Sequence, residues 1–380
     1  MRDILGDERI VMTLDAGGTN FVFSALQAGK EIITPITLRS HSENLEKCLR
    51  TIVEGFNQVK INLEHKVPHA ISFAFPGPAD YKHGVIGDLI NLPAFRGGIA
   101  LGPMLEELFE IPTLINNDGD LFAYGESVAG FLPFINKSLE CAGSSKRYKN
   151  LIGITLGTGY GGGIVVNNQI CLGDNSAAGE IWLTRNFLKS AVIAEESVSI
   201  RAIQRVYSEK SGTSFSLTPL EIFEIASEKR DGNKSAAIAA FEELAVAVAE
   251  SLANAIALLD APVVIGGGIA GASKFIIPKI IEHLSGCIHD LDGKAMPRVI
   301  SKIYDVDNDQ QLKSFLANSQ YEVTIPFSNK KVVYDKEKRI AIGISKLGTS
   351  TAVCLGAYAL ALDYLDKTNL YEEINTRELR

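Results

Sequence analysis

Glycine-rich turns next to predicted strands are the segments of this sequence whose residue types suit phosphate chemistry. They are DAGGTN at 15–20, GTGYGGG at 157–163 and GGG at 266–268. Backbone N–H groups on residues without a Cβ can surround phosphate oxygens. For any one of these segments, a tight turn that requires positive φ is the alternative. Three such segments at corresponding strand ends favour a bound nucleotide.

The middle segment contains the spacing G-x-G-x-x-G at Gly157, Gly159 and Gly162, which is the dinucleotide-binding fingerprint. That fingerprint requires a helix directly after its glycines. Here IVVNNQI follows, with β-branched residues and then a turn-favouring Asn-Asn pair, so a strand is predicted instead. A Walker loop would need Lys-Ser/Thr, and a protein-kinase loop would need its companion motifs, neither of which follows. The segment therefore predicts a hairpin whose backbone wraps phosphate oxygens.

Predicted strands place each glycine segment at a strand end. The alternation of apolar and polar residues predicts strands at 9–15, 21–27, 69–75 and 112–116, and again at 151–156, 163–168 and 262–268. Both halves begin with a strand–turn–strand unit and continue with alternating helices and strands. This matching order predicts two duplicated α/β domains that face one another.

The domain boundaries follow from this order. We predict a small N-terminal α/β domain at 1–118 and a large C-terminal α/β domain at 119–350. An insert at 288–339 interrupts the second, and residues 318–335 within it are predicted to form a hairpin. The C-terminal helix, at about 351–380, is expected to pack back near the first domain.

The composition is that of a soluble globular chain. Of 380 residues, 46% are hydrophobic and 22% are charged, and the net charge is -8. No basic stripe and no membrane-spanning apolar run are present, so neither nucleic acid nor a membrane is expected as a partner. The N-terminal segment lacks the apolar stretch of a signal peptide. The five cysteines are widely spaced without C-x-x-C, which predicts reduced thiols and a cytoplasmic location.

Five motifs in order resemble those of the ROK-family sugar kinases, which belong to the actin/hexokinase-like ATPase superfamily. They are D-x-G-G-T at 15–19, P-G-P with downstream INLPAF, N-N-D-G at 116–119, G-T-G-Y-G-G-G and I-G-G-G-I. The resemblance covers about 9–287 and 340–362, and leaves 288–339 uncovered. It implies two ribonuclease-H-like domains around a central cleft. It also implies ATP-dependent phosphorylation of a hexose or N-acetylhexosamine, in the manner of a glucokinase.

The resemblance assigns roles to individual residues. Asp118 corresponds to the catalytic aspartate, although its place before a helix also fits an N-cap. The residues expected to bind the sugar are Gly77, Asn91, Asn117, Glu180 and Glu195. The residues expected to bind ATP are Gly17, Gly18, Thr19, Asn20, Gly157, Thr158, Gly159, Gly267 and Gly268. Asp15 is expected to hold Mg²⁺, directly or through water. The alternative is that Asp15 only initiates the turn that follows it.

The sequence departs from the family pattern at the sugar site. The family segment G-E-I-G-H reads G-E-I-W-L here, so Glu180 is kept while Trp182 and Leu183 replace Gly and His. Loss of the His removes one sugar contact. No Cys or His occurs between 172 and 282, so we expect no structural zinc. Glu195 aligns with a further sugar-binding glutamate of the family, but Glu196 could take that place instead. Alternatively, the glutamate is only a solvated residue at the start of a helix.

Other functions for the same fold are weighed against a kinase. A sugar-sensing regulator with little turnover is one alternative, but the first phosphate motif begins at Asp15 and leaves no room for a preceding DNA-binding domain. An ATPase of the chaperone or actin type would not require N-N-D-G together with Glu180. The sequence admits a homodimer but does not determine the oligomeric state.

Overall fold

The structure is a computed structural model that describes residues 4–77, 79–89, 92, 94–213 and 217–378, with side chains up to 368. The chain forms two compact units. The first comprises residues up to Gly130, Gly163–Gly179 and the segment from Leu347 onward, and the second comprises Phe131–Gly162 and Glu180–Lys346. Each unit combines helices with a sheet, which confirms the predicted α/β class.

The strands alternate with the helices along the chain. The strands are β1 Val11–Ala16, β2 Asn20–Gln27, β3 Lys30–Glu31, β4 Ile36–Arg39, β5 Ala70–Ala74, β6 Ala79–Asp80, β7 Val85–Ile86, β8 Thr113–Asn116, β9 Leu151–Leu156, β10 Tyr160–Val166, β11 Gln169–Ile170, β12 Val263–Gly266, β13 Cys287–His289, β14 Ala295–Pro297, β15 Lys302–Asp305, β16 Gln320–Thr324, β17 Lys331–Asp335 and β18 Arg339–Ile344. The α-helices are α1 Leu45–Asn62, α2 Leu101–Phe109, α3 Asp118–Val128, α4 Phe131–Cys141, α5 Ile200–Ser211, α6 Pro219–Ala226, α7 Lys234–Leu259, α8 Ser273–Leu284, α9 Asp309–Leu316 and α10 Thr349–Glu378. Short 3-10 helices occupy Ile181–Leu183, Ala194–Glu196 and Gly268–Ala272.

The sheet of the first unit has the order β3-β2-β1-β5-β8, and β4 pairs with the free part of β2. β1 and β2 form an antiparallel pair around the first glycine turn. β1, β5 and β8 run parallel, so the carboxyl ends of these three strands lie at one edge. A phenylalanine-rich core fills the space between the sheet and α1, and Gly55 lets α1 approach the ring of Phe23.

The other helices of the first unit rest on the same sheet. α10 packs on β1, β5 and β8 and also on α3. α3 is buried from Gly119 to Val128, so a helix that begins at Asp118 is fixed along its whole length. The close crossing of α3 and α10 depends on Gly125 and Gly356, where an added Cβ would lie within 2 Å of a carbonyl oxygen of the facing helix.

The second unit is built on parallel strands in the order β9-β12-β18-β15. α7 is the central helix of its core, and it packs against α5, α6 and α8. Alanines on α7 keep these helices close, and aliphatic side chains from β9, β12 and β18 complete the core. β10 begins in the second unit at Tyr160 and continues in the first unit, where it pairs with β11.

The predicted insert contains two small hairpins. β13 pairs with β14, and β16 pairs with β17, as the sequence pattern predicted for the second. Between them, β15 joins the parallel sheet beside β18, and α9 packs on β15. The insert is therefore anchored through β15, while its two hairpins form separate two-stranded sheets.

Two further observations concern the chain as a whole. Each of the five cysteines is a free thiol. Across the ranges given above, no helix combines the length and the apolarity that crossing a bilayer would require.

Candidate active site

A cavity of about 720 Å³ opens in the first unit at the carboxyl edge of its parallel strands. Asp15 at the end of β1, Pro76 after β5 and Asp118 after β8 all line it. These side chains meet because the carboxyl ends of neighbouring parallel strands lie at the same edge of a sheet, which is where α/β proteins bind ligands. The cavity thus brings together the predicted metal ligand and the predicted catalytic carboxylate.

Asp118 is the first residue of α3, and its carboxylate accepts a hydrogen bond from the backbone N–H of Gly119 at 2.9 Å. Asp118 is exposed to solvent, although protein atoms of the cavity wall surround its carboxylate. The desolvation that they cause raises the pKa of Asp118 above its ordinary value, although the backbone N–H of Gly119 acts in the opposite direction. A carboxylate with a raised pKa is a stronger proton acceptor, which suits a general base.

The two asparagines before Asp118 fix its position. Asn117 is the N-cap of α3, and its side-chain oxygen accepts from the N–H of Gly119 at 2.7 Å. Asn116 is buried, and its side-chain oxygen accepts from the N–H of Asn117 at 2.8 Å. The strand end, the cap and the first helical turn therefore form one hydrogen-bonded loop. Asn117 stays a predicted sugar ligand, but the structure also gives it this positioning contact.

Gly163 adds a contact at the same place that the sequence did not reveal. A Cβ on this residue of β10 would lie 2.3 Å from the carbonyl oxygen of Gly119. Glycine is therefore required for β10 to pass against the start of α3. The signal was present in the run of glycines at 161–163, but which of them packs on a helix depends on the tertiary structure.

The first glycine turn is held from outside by serines after β4. The carbonyl of Gly18 accepts from the hydroxyls of Ser40 at 2.7 Å and Ser42 at 3.1 Å, and the N–H of Ser40 donates to the carbonyl of Thr19. Ser40 is buried. With its carbonyls engaged in this way, the turn keeps a fixed shape. These serines were not among the predicted site residues, because their partners lie more than 20 positions away in the sequence.

The second glycine turn joins β9 to β10 and is held within the second unit. The carboxylate of Glu195 accepts from the N–H of Tyr160 at 3.0 Å, and the carbonyl of Gly157 accepts from the N–H of Ile200 at the start of α5. Glu195, a predicted sugar ligand, thus contacts the second glycine turn. Its rival Glu196 is more exposed and lies 3.7 Å from Arg201.

The glycines of the three turns fall into two groups when a Cβ is considered at each. Gly17 and Gly267 are needed by the fold, since a Cβ there would lie less than 3 Å from backbone atoms of Asn20 and Leu156, respectively; at Gly159 a Cβ would displace the carboxylate of Glu195. In contrast, a Cβ on Gly18, Gly157 or Gly268 would meet no heavy atom within 4 Å, and none of these three has φ in the left-handed region. The fold itself gives no reason for glycine at Gly18, Gly157 and Gly268. Their bare backbone faces open space, which fits the close approach of a ligand such as a phosphate group.

Gly267 and Gly268 follow β12, which runs parallel to β9, so they lie at the same strand edge as the second turn. Gly267 has φ of 88° and contacts the backbone of Leu156, the last residue of β9. The second unit therefore brings the predicted residues at 157–159 and 267–268 together.

The segment that departs from the family pattern forms a 3-10 helix, and Glu180 is its N-cap residue. The indole N–H of Trp182 donates a hydrogen bond to the carboxylate of Glu180. Trp182 is half-buried and packs on the core of the second unit, whereas Leu183 is exposed. The tryptophan therefore fixes the carboxylate of Glu180 in one orientation.

Two predicted sugar-binding positions remain. Gly77 lies directly after the cavity residue Pro76, and a Cβ on it would be 2.9 Å from the hydroxyl of Tyr81, so a larger residue there would have to displace that hydroxyl. Asn91 lies outside the described residues.

Comparison with known proteins finds sugar kinases among the proteins similar to this chain. The sequence model of the ROK family matches residues 11–300. A glucokinase from Halalkalibacterium halodurans is 27% identical over 320 residues, which cover 77% of this chain and 88% of that protein. An N-acetyl-D-glucosamine kinase from Vibrio parahaemolyticus is 29% identical over 171 residues, which cover 45% of this chain and 51% of that protein.

The crystal structure of a glucokinase from Parabacteroides distasonis is similar over almost the whole chain. It has 50% sequence identity and a TM-score of 0.87, and the match covers 95% of this chain and 99% of that one. The family model, which spans residues 11–300, confirms the resemblance seen in the motifs. This chain belongs to the ROK family.

Proposed function

We propose that this chain is an ATP-dependent sugar kinase, a phosphotransferase that acts on a sugar hydroxyl. The observation that carries the proposal is the pair Asp15 and Asp118 on the wall of one cavity, at the edge where the strands end. The glucokinases and the N-acetylglucosamine kinase similar to this chain support the same activity. They do not favour the sugar-sensing regulator.

The glycines with open backbone faces fit the phosphates of ATP. In the first unit we assign Gly17, Gly18, Thr19 and Asn20 to the phosphate that is transferred, with Asp15 holding Mg²⁺ directly or through water. In the second unit we assign Gly157, Thr158 and Gly159 to the β-phosphate, and Gly267 and Gly268 to the nucleoside. When bound, ATP supplies the γ-phosphoryl group, and Mg²⁺ offsets the charge on its oxygens. We also propose that the protein works without a structural zinc and in the cytoplasm.

Asp118 acts on the sugar. Its carboxylate accepts the proton of the sugar hydroxyl while the hydroxyl oxygen forms the new bond to phosphorus, and the bond from phosphorus to the ADP oxygen breaks. The raised pKa of Asp118 favours this proton transfer. Asn117 holds the loop that carries Asp118, and a 1 Å displacement of a catalytic group can cost up to about a hundredfold in rate.

The residues that the family resemblance assigns to the sugar carry carboxylate and amide groups, which suit the hydroxyls of a neutral polyol. The hydroxyl ligands that we propose, following the family resemblance, are Asn91, Asn117, Glu180 and Glu195, together with Gly77. Trp182 adds an aromatic side chain next to Glu180. We therefore propose a hexose or an N-acetylhexosamine as the substrate, with the 6-hydroxyl as the acceptor.

A coupled assay of ADP release tests this function. Glucose, fructose, N-acetylglucosamine and N-acetylmannosamine are offered in turn, and at least one is expected to raise ADP release far above the rate with ATP alone. Asp118→Asn is expected to abolish that turnover and to leave ATP binding nearly unchanged. A carboxylate whose pKa is raised on folding costs stability once ionised, so this variant should melt no lower than the wild type at neutral pH.

Asp231→Asn is the matched control, since it makes the same change at an exposed loop position of the second unit. It should behave as the wild type. If none of the sugars raised ADP release above the rate with ATP alone, the proposed kinase activity would be wrong. If Asp118→Asn kept full turnover, Asp118 would not be the catalytic base.

A further inference from the structure

Arg201 lies beside the second glycine turn. It is the second residue of α5, and the N–H of Ile200, the residue before it, donates to the carbonyl of Gly157 at 2.9 Å. Side chains on a helix lean toward its N-terminus, so the guanidinium of Arg201 leans toward the end of α5 that contacts the turn. The contact between α5 and the turn therefore places a permanent positive charge next to Gly157, whose backbone faces open space.

The carboxylate of Glu195 connects Arg201 to the same turn. One of its oxygens accepts from the N–H of Tyr160 at 3.0 Å, and a Cβ on Gly159 would lie 2.6 Å from that oxygen. The other oxygen lies 3.6 Å from a terminal nitrogen of Arg201. A single carboxylate thus separates the guanidinium from the backbone of the turn.

The guanidinium of Arg201 makes no hydrogen bond to the part of the protein that the structure describes. Its terminal nitrogen lies 3.6 Å from Glu195 and 3.7 Å from Glu196, and both distances are too long for a hydrogen bond. The side chain is 63% exposed. Since ion pairs at such an exposed position contribute little to stability, the guanidinium can leave both carboxylates for a ligand at small cost.

The position of Arg201 within α5 is unfavourable for a cation. The first turn of a helix carries a partial positive charge, which favours acidic residues and opposes an arginine. α5 has Arg201 in that turn and no acidic residue there, whereas Lys210 occupies the last turn, where a cation is favoured. A residue that breaks a local preference without a compensating contact is expected where a function requires it.

We propose that Arg201 is a nucleotide-binding residue, whose guanidinium donates to phosphate oxygens of ATP at the second glycine turn. This inference rests on the proposed kinase function. The glycine segments at 15–20, 157–163 and 266–268 contain no lysine or arginine, so they offer a phosphate no cationic side chain. A planar guanidinium can donate two parallel hydrogen bonds to one phosphate group, and such charge-assisted pairs are among the strong hydrogen bonds of proteins.

The same arginine offsets the charge of Glu195. A carboxylate that contacts the turn would repel a phosphate bound there, because like charges a few ångströms apart oppose one another. With Arg201 beside it, the carboxylate of Glu195 keeps its hydrogen bond to Tyr160 while the guanidinium compensates its negative charge. Glu195 thus holds the turn, and Arg201 makes that arrangement compatible with a phosphate.

Titration calorimetry with ATP and Mg²⁺, together with the coupled kinase assay, tests the assignment. Arg201→Gln removes the charge but keeps a polar side chain. Its Kd for ATP should rise by about tenfold to a hundredfold, the range expected for a lost charge-assisted hydrogen bond, while KM for the sugar stays constant. Arg201→Lys restores the charge without the planar fork, so it should recover part of the affinity for ATP. The melting temperature should not change, because the side chain is exposed.

Lys210→Gln is the matched control, since it removes one positive charge from the other end of the same helix, where the side chain is 44% exposed. It should bind ATP as the wild type does. Unchanged ATP affinity in Arg201→Gln would overturn the proposal, as would a loss that Lys210→Gln shares or that Arg201→Lys does not reduce. A wild type that binds ATP but phosphorylates no sugar would refute the kinase alone, whereas a wild type that binds no ATP would refute both.

Discussion

The contact between α3 and α10 is expected to control both the stability of the first unit and the position of Asp118. A Cβ on Gly356 would lie 1.9 Å from the carbonyl oxygen of Leu121, and ordinary van der Waals contact begins near 3.4 Å. Gly356→Ala must therefore move the helices apart by about 1.5 Å along that direction. No rotamer change relieves this clash, because both atoms are fixed by the backbone of buried helices.

The expected loss follows from that displacement. Overpacking of a core costs about 1–3 kcal/mol, occasionally more, and a clash between backbones falls at the upper end. For a unit of this size, about 3 kcal/mol lowers the melting temperature by roughly 6–12 °C. Since α3 begins at Asp118, the same shift displaces the carboxylate, and kcat should fall by about tenfold to a hundredfold.

Differential scanning calorimetry and the coupled kinase assay measure the two effects. The matched control is Gly271→Ala, where a Cβ would meet no heavy atom within 4 Å and φ is outside the left-handed region. This control should change stability by less than about 1 kcal/mol. A Gly356→Ala protein with the melting temperature and kcat of the wild type would refute the argument that this crossing positions α3.

Two further predictions concern the site. As the pH is lowered, kcat/KM should fall when Asp118 becomes protonated. Because the pKa of Asp118 is raised, this fall should begin at a higher pH than for an ordinary aspartate, whose pKa is about 3.9. A profile of kcat/KM against pH checks this, with circular dichroism to show that the protein stays folded. Activity that falls only below about pH 4, the ordinary aspartate value, would contradict the prediction. Trp182→Phe removes the N–H that donates to Glu180 but keeps an aromatic ring, so KM for the sugar should rise about tenfold while KM for ATP stays constant. An equal change in both KM values would indicate a general structural effect instead.

Local patterns in the sequence were enough to predict much of the fold. Strand periodicity on both sides of the glycines at 157–163 excluded a Rossmann turn, and the structure has β9 and β10 there. Alternation at 318–335 predicted the hairpin β16–β17. These features could be predicted because the side-chain period of a strand and the residues of a turn are properties of adjacent positions.

Contacts between distant segments could not be predicted in this way. The sequence shows Gly157 and Gly159 as equivalent residues of one turn, but only the structure shows that Glu195 lies against the second and that open space lies beside the first. Likewise, Ser40 holds the carbonyl of Gly18 across 22 positions.

The sequence by itself determined the family, the strand–turn–strand units and the residue types that suit phosphate and sugar. The tertiary structure alone decided which glycines are tightly packed and which face open space, which side chains meet at the cavity of the first unit, and how closely α10 packs on α3. The physical reason is that close approach and desolvation depend on atoms brought together by folding, and no spacing along the chain encodes those distances.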